Sequence, residues 1–149
     1  MADKDDSPLA LSNLLCFAVY SAAHAFNRVY KPLLDKLDLT YPQYLVLVVL
    51  WERDGLTVKE IGNRLYLDSG TLTPLLKRLE SAGLLRRVRD QEDERQVRIH
   101  LTAEGRALRA KAEAIPTEIA CAAQQPIEQF QDLMQRILDL RNALHKSAR

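Results

Sequence analysis

A mainly α fold carrying one β-hairpin is predicted by three observations. Apolar residues recur at helical spacing along most of the chain, capping and stop signals divide that pattern into about six helices, and the stretch from Leu84 to Leu101 switches to two partly alternating runs around a charged turn. Ser7-Pro8 is a helix start of the usual kind, with serine at the cap and proline in the first turn. Apolar residues then follow at Leu11, Leu14, Leu15, Ala18, Ala22, Ala25, Phe26 and Val29, and the pattern halts near Pro32. Leu33 to Leu39 reads as a short helix or turn.

Thr40-Tyr41-Pro42 opens a second helix that runs through Leu50 and Trp51 and ends at Asp54-Gly55. Thr57-Val-Lys-Glu60 fits a capping box and opens a third helix to Leu65. A fourth follows Tyr66-Leu67-Asp68 and stops at Ser81-Ala82-Gly83, glycine being the usual terminator. Leu84–Arg89 and Gln96–Leu101 are strand candidates, joined by Asp90-Gln-Glu-Asp-Glu-Arg95. Thr102 caps a long helix through Ile115, with Pro116 as kink or boundary, and a last helix spans about Pro126 to His145.

Two short helices joined by a tight turn and followed by a hairpin make a winged helix-turn-helix, and residues 41–101 are assigned to that lobe. The second helix of the pair is expected in a DNA major groove. Its polar positions Ser69, Gly70, Thr71, Thr73, Lys77 and Arg78 suit groove and phosphate contact, while Leu72, Leu75, Leu76 and Leu79 supply a buried face. Pro74 fits only a first helical turn without loss, so this helix either begins near Gly70 or Thr71 or is locally distorted. At the hairpin tip, Arg95 is positioned for a minor groove, with Asp93 two residues earlier holding its guanidinium. By itself the hairpin is as well explained by a charged tip that avoids edge pairing; the preceding helices favour the wing.

Composition narrows the class further. Net charge is only +1, so no global basic field points to nucleic acid, and DNA binding rests on the motif. The longest apolar run, Tyr44 to Trp51, is far shorter than the ~20 residues needed to cross a bilayer. The N-terminus, MADKDDSP, is acidic and polar, unlike a secretory or transit signal, and a cytoplasmic location is the expectation. Cys16 and Cys121 lie 105 positions apart with no CxxC, and the three histidines are scattered, so neither a metal site nor a cofactor is indicated. A structural disulfide is disfavoured in the cytosol, and a small buried hydrophobe is the default role of any one cysteine.

Thr57-Val-Lys-Glu-Ile-Gly, the run from Asp68-Ser-Gly-Thr-Leu-Thr-Pro to Ser81-Ala-Gly-Leu-Leu, the wing Arg89-Asp-Gln-Glu-Asp-Glu-Arg and Leu101-Thr-Ala-Glu-Gly together resemble the MarR family of regulators. The resemblance covers nearly the whole chain. It implies a homodimeric repressor of pseudo-palindromic double-stranded operator DNA, with residues 1–40 and 102–149 forming a helical dimerisation module intertwined with the DNA-binding lobe.

Leu14-Leu-Cys-Phe-Ala-Val-Tyr-Ser-Ala further resembles the organic hydroperoxide resistance regulators. That likeness implies a redox-active Cys16 in the first helix, thiolate-supporting Tyr30 and Tyr41, and Cys121 as the second cysteine of a two-cysteine sensor. Tyr20, one turn from Cys16, shares its helix face. Cys16 and Tyr30 are fourteen residues apart, which returns to nearly the same face but ~21 Å along the axis, so they meet only across a two-fold axis. Phenolic hydroxyls from Tyr20, Tyr30 and Tyr41 suit stabilisation of a thiolate, and their rings suit an organic peroxide.

Two other functions fit parts of this pattern. A MarR-type repressor released by a small aromatic ligand shares the fold, but the set Cys16, Tyr30, Tyr41 and Cys121 favours the redox reading. A thiol peroxidase lacks support from any βαβ pattern or CxxC motif, and the chain is not read as an enzyme.

Overall fold

A computed structural model describes residues 6–148; residues 1–5, most of the acidic N-terminal stretch, and residue 149 lie outside the described part. A single turn of 3-10 helix (Leu11–Asn13) precedes α1 (Leu15–Asp35), α2 (Tyr41–Glu52), β1 (Leu56–Thr57), α3 (Val58–Leu65) and α4 (Ser69–Ser81). β2 (Leu85–Arg89), β3 (Val97–Leu101), α5 (Ala103–Ala112), α6 (Ile115–Ala123) and α7 (Ile127–Ser147) follow. The strands form one antiparallel sheet in the order β1-β3-β2, with Leu85 opposite Leu101 and Leu56 opposite Ile99. The result is the expected mainly α, winged helix-turn-helix fold.

Short polar side chains set the helix starts. Thr40 and Thr57 each close a capping box, with Gln43 and Glu60 respectively. Asp68 caps α4 and Thr102 caps α5, each accepting the backbone N–H three residues on. The stops of α1, α3 and α4 share one device: Asp38, Tyr66 and Gly83 turn left-handed, and the next amide donates back to Leu34, Gly62 or Leu79. The core lies where α2, α3, α4 and the sheet converge, and Leu47, Leu50, Ile61, Leu72, Leu76, Leu79, Leu85 and Ile99 are fully buried there. Each such side chain contributes about 1.5–3 kcal/mol.

Several boundaries differ from the sequence expectation. The first helix does not start at Ser7-Pro8. Asn13 Nδ2 donates to the Ser7 carbonyl at 2.9 Å and Leu9 N–H donates to Ser7 Oγ at 3.3 Å, so local side-chain bonds hold a turn in competition with the helix. At its other end α1 runs through Pro32 to Asp35. Burial of Leu34 and the Lys31–Asp35 pair hold this last turn, and no separate helix forms over 33–39.

The long helix expected from Thr102 to Ile115 stops at Ala112, because Pro116 has no N–H to extend the ladder and sits instead in the first turn of α6. α4 starts at Ser69, just before the expected Gly70 or Thr71, and carries Pro74 internally, beyond its first turn. β1 was not anticipated, since two residues are too few to show alternation.

The chain divides into two compact units, residues 1–113 and 114–149. In the first, α1 buries only Leu34 and leaves Leu15, Phe17, Val19, Tyr20, Phe26 and Val29 exposed. In the second, Ile115 and Ile119 of α6 are buried, whereas α7 buries nothing and exposes Ile127, Leu133, Met134, Ile137 and Leu144.

Two glycines permit close backbone approach. A Cβ on Gly62 would lie 2.7 Å from the Leu67 carbonyl oxygen in the helix-turn-helix turn. On Gly105 it would lie 2.0 Å from the Leu84 carbonyl oxygen, where α5 crosses the base of the wing. Neither neighbour is a flexible side chain. Gly105→Ala is therefore expected to cost about 3 kcal/mol, the upper end for overpacking, measurable as a lower midpoint in urea unfolding.

Candidate functional site

The helix-turn-helix and the wing enclose an open cleft of 580 Å³, lined by Thr57, Lys59, Asn63, Asp68, Ser69, Thr73, Arg95 and Gln96 among others. Three of the residues predicted to meet DNA, Ser69, Thr73 and Arg95, therefore face one concavity. Ser69, Gly70, Thr71, Lys77 and Arg78 are exposed on α4 and Thr73 is half-buried, while Leu72, Leu75, Leu76 and Leu79 face inward as expected. The sequence reading missed Lys59 and Asn63 on α3 and Gln96 on the wing. Lys59 and Asn63, four apart on the polar face of α3, carried a signal that was available.

Hydrogen bonds fix the start of α4 and the tip of the wing. Asp68 accepts the Thr71 amide at 2.7 Å, and that bond, with others from the Thr71 side chain and the Gly70 amide, holds its carboxyl below the usual carboxylate range. At the tip of the wing, Asp93 receives Arg95 Nε at 3.1 Å and Nη2 at 3.3 Å, and also the Arg95 amide at 3.1 Å. The guanidinium, then the amide, lowers the Asp93 carboxyl in the same way. The Arg95 side chain is nonetheless 91% exposed, so the clamp aims the guanidinium without enclosing it.

The base of the wing is braced twice. Arg98 reaches the Gly55 carbonyl at 2.9 Å and Asp90 at 3.3 Å. Glu80, near the end of α4, accepts the Arg87 amide at 2.8 Å and its Nε at 3.1 Å. Recognition helix and wing are thereby tied to each other.

The cysteines and tyrosines fall on different elements. Cys16, in the first turn of α1, and Cys121, in α6, are both free thiols and both exposed. Tyr20, one turn after Cys16, packs edge-on against His24 at a ring separation of 4.4 Å. Tyr30 and Tyr41, from α1 and α2, stand together with ring centroids 4.8 Å apart. Cys16 and Tyr30 occupy one continuous helix, so within the chain the thiol stays about 21 Å along the axis from the tyrosine pair.

Tyr44 joins that pair at 5.8 Å from Tyr30 and 6.3 Å from Tyr41, and Trp51 meets Tyr44 at 6.4 Å. The sequence reading missed Tyr44 and Trp51, although the spacing Tyr41, Tyr44, Trp51 sets them on one face of α2. A cleft of 340 Å³ beside this cluster is lined by Asn27, Tyr30, Lys31, Leu34, Leu39 and Tyr41, among others.

Burial pushes the Tyr30 hydroxyl up to about 12, with further contributions from Tyr41 and Tyr44. Burial likewise raises Tyr41, and burial with Tyr41 as neighbour raises Tyr44. These phenols stay protonated, able to donate, at any physiological pH. A phenol that ionises later in the folded state binds more protons there than in the unfolded state. Stability should therefore fall as pH rises from the ordinary tyrosine value of 10.0 towards about 12. Tyr30→Phe should make that alkaline decline shallower, as read by urea unfolding across the range.

Comparison with known proteins agrees with this architecture. The profile of the family described as transcriptional regulator SarA/Rot matches residues 28–112. The HTH-type transcriptional regulator TtmR of Methylorubrum extorquens is 54% identical over 143 residues, covering 96% of this chain and 73% of the relative. The organic hydroperoxide resistance transcriptional regulator of Bacillus subtilis is 49% identical over 138 residues, covering 93% of this chain and 94% of that one.

Among solved structures, reduced AbfR bound to DNA has a TM-score of 0.79 at 37% identity, covering 93% and 95% of the two chains. AbfR, a protein of Staphylococcus epidermidis, is also known with a disulfide formed; that form gives a TM-score of 0.64 at 41% identity over 87% and 91%. With more than half its length inside the family profile and two relatives near 50% identity, the chain belongs to the MarR family of winged-helix transcriptional regulators, in its SarA/Rot-type branch, and is homologous to the organic hydroperoxide resistance regulator.

Proposed function

We propose that this regulator is a redox-sensing repressor, bound to operator DNA as a homodimer when reduced and released when an organic hydroperoxide oxidises Cys16. The observation that carries the reading is the pair of free, exposed thiols on α1 and α6, in a chain similar to a regulator solved both reduced on DNA and with a disulfide formed. The large exposed apolar side chains of α1 and of α7 support a dimer built from those helices, since monomers rarely leave such surface to water. A regulator that acts on DNA is read as cytoplasmic. None of the described helices is long and apolar enough to cross a membrane.

In this reading the Cys16 thiolate attacks the terminal oxygen of ROOH. The O–O bond breaks, the terminal OH passes to sulfur, which is oxidised by two electrons to the sulfenic acid, and the RO− fragment leaves and takes a proton from water to become the alcohol ROH. Tyr20, with Tyr30 and Tyr41 of the partner subunit, donates to the thiolate, and their rings favour an organic peroxide. The thiol of Cys121 of the partner subunit then attacks the sulfenic sulfur, an S–S bond forms and water departs. A disulfide needs Cα atoms within about 7 Å. Bringing the two cysteines together respaces the recognition helices, which must span half-sites about 34 Å apart, and one half of the DNA contact is lost.

The 340 Å³ cleft beside Tyr30, Lys31 and Tyr41 favours a second reading, release by a small aromatic acid. A gel shift separates the two. Release by an organic hydroperoxide, reversed by dithiothreitol, supports the redox sensor, whereas release by salicylate-like acids alone supports the ligand sensor.

Three variants give sharper outcomes. Cys16→Ser is expected to bind DNA normally and to ignore peroxide; release as ready as that of wild type excludes Cys16 as the sensor. Cys121→Ser should form no covalent dimer on non-reducing gels and should keep a dimedone-reactive sulfenic acid that over-oxidises at high peroxide. A monomeric oxidised wild type overturns the intersubunit bridge. Arg95→Ala should weaken DNA binding without loss of stability and reduce the slope of log K against log salt by about one unit.

A further inference from the structure

The sole tryptophan connects two parts of the first compact unit that the proposed redox response requires to communicate. At one end of α2, Tyr41 packs on Tyr30, the pair assigned to the thiolate. Tyr44, only 6% exposed, touches both and passes the contact along the same helix face to the Trp51 ring. At the other end, the Trp51 indole N–H donates to the Gly105 carbonyl at 2.9 Å, bridging 54 residues of sequence.

Gly105 stands at the junction that fixes the wing. Its amide donates to Thr102 Oγ1 at 3.0 Å, and the Thr102 hydroxyl donates to the Gly83 carbonyl at 2.6 Å. The Thr102 amide donates to the Leu84 carbonyl at 3.1 Å, and the missing Cβ of Gly105 lets α5 lie against that same carbonyl. Gly83 and Leu84 are the residues through which α4 passes into β2. Trp51 thus joins the aromatic cluster to the hinge between recognition helix and wing.

We infer that Trp51 is a positioning residue of the redox response: its indole N–H on Gly105 delivers displacement of the Tyr30–Tyr41 pair to the base of the wing. The inference rests on the proposed Cys16 chemistry. α2 is buried along its length and close-packed, so it moves as a rod, and a tilt imposed at Tyr41 appears at Trp51. The indole bond is directional. Replacing the indole by a phenyl ring removes that N–H, and with it the bond to Gly105, while keeping an aromatic ring on this face of α2.

The test uses the full chain, cumene hydroperoxide as oxidant and a duplex from the region upstream of its own gene. Operator affinity of the wild type should fall about 30-fold on oxidation and that of Trp51→Phe about threefold or less, within the usual span of coupling between sites. Reduced affinity and the yield of oxidised Cys16 by mass spectrometry should match wild type.

Because Trp51 is the only indole, the emission of unmodified wild type free of DNA should change on oxidation, a readout that depends on no variant. Full peroxide release of Trp51→Phe, or an unaltered emission spectrum in oxidised wild type, overturns the inference and leaves the sensor intact. A wild type that keeps its DNA after Cys16 oxidation overturns the sensor reading, and this inference with it.

Discussion

Helix α2 is apolar around its whole circumference, and a helix of that kind cannot rest on a surface; it has to be enclosed. Tyr44, Val46, Leu47, Val49 and Leu50 are buried on its several faces, so neighbouring elements must close round it. α1 covers it from one side, α3 and α4 from another, and the start of α5 reaches it through Trp51. The position of the helix-turn-helix relative to α1 follows from that enclosure.

The polar interactions have a different task. Almost none is deeply buried, so as isolated surface pairs they contribute little to stability. They fix angles instead. Asp68 sets where α4 begins, Asp93 sets where Arg95 points, and Glu80 ties the strand after the recognition helix back to its last turn. Asp54 accepts the amides of Gly55 and Leu101, anchoring the end of β3 beside the turn that follows α2. Apolar burial holds the lobe together, and carboxylates fix the start of α4 and the geometry of the wing.

Much of this was legible in the sequence, for physical reasons that can be named. The helix start at Thr40, the capping box at Thr57 and the left-handed stop at Gly83 are local, and local signals survive folding unchanged. The hairpin was legible from alternation, but β1 was not, because a two-residue strand exists only through its pairing with β3. The first helix started later than Ser7-Pro8 predicted, since Asn13 could satisfy the Ser7 carbonyl without it. Tyr30 and Tyr41 were singled out by resemblance. Tyr44 and Trp51 were passed over because aromatic residues in an apolar run look like ordinary core, and the Trp51–Gly105 bond spans a sequence separation that no periodicity reveals.

Intramolecular pairing of the wing arginines has a consequence for how the protein searches a genome. Arg87, Arg95 and Arg98 each already hold a carboxylate, and the net charge of the chain is +1. Binding to arbitrary DNA draws its strength from cations that displace condensed counterions from phosphate. A guanidinium already neutralised by a carboxylate gains less from that exchange, so these three add less to binding on random sequence than free cations would. The operator then competes with the rest of the chromosome through fit in the grooves more than through charge.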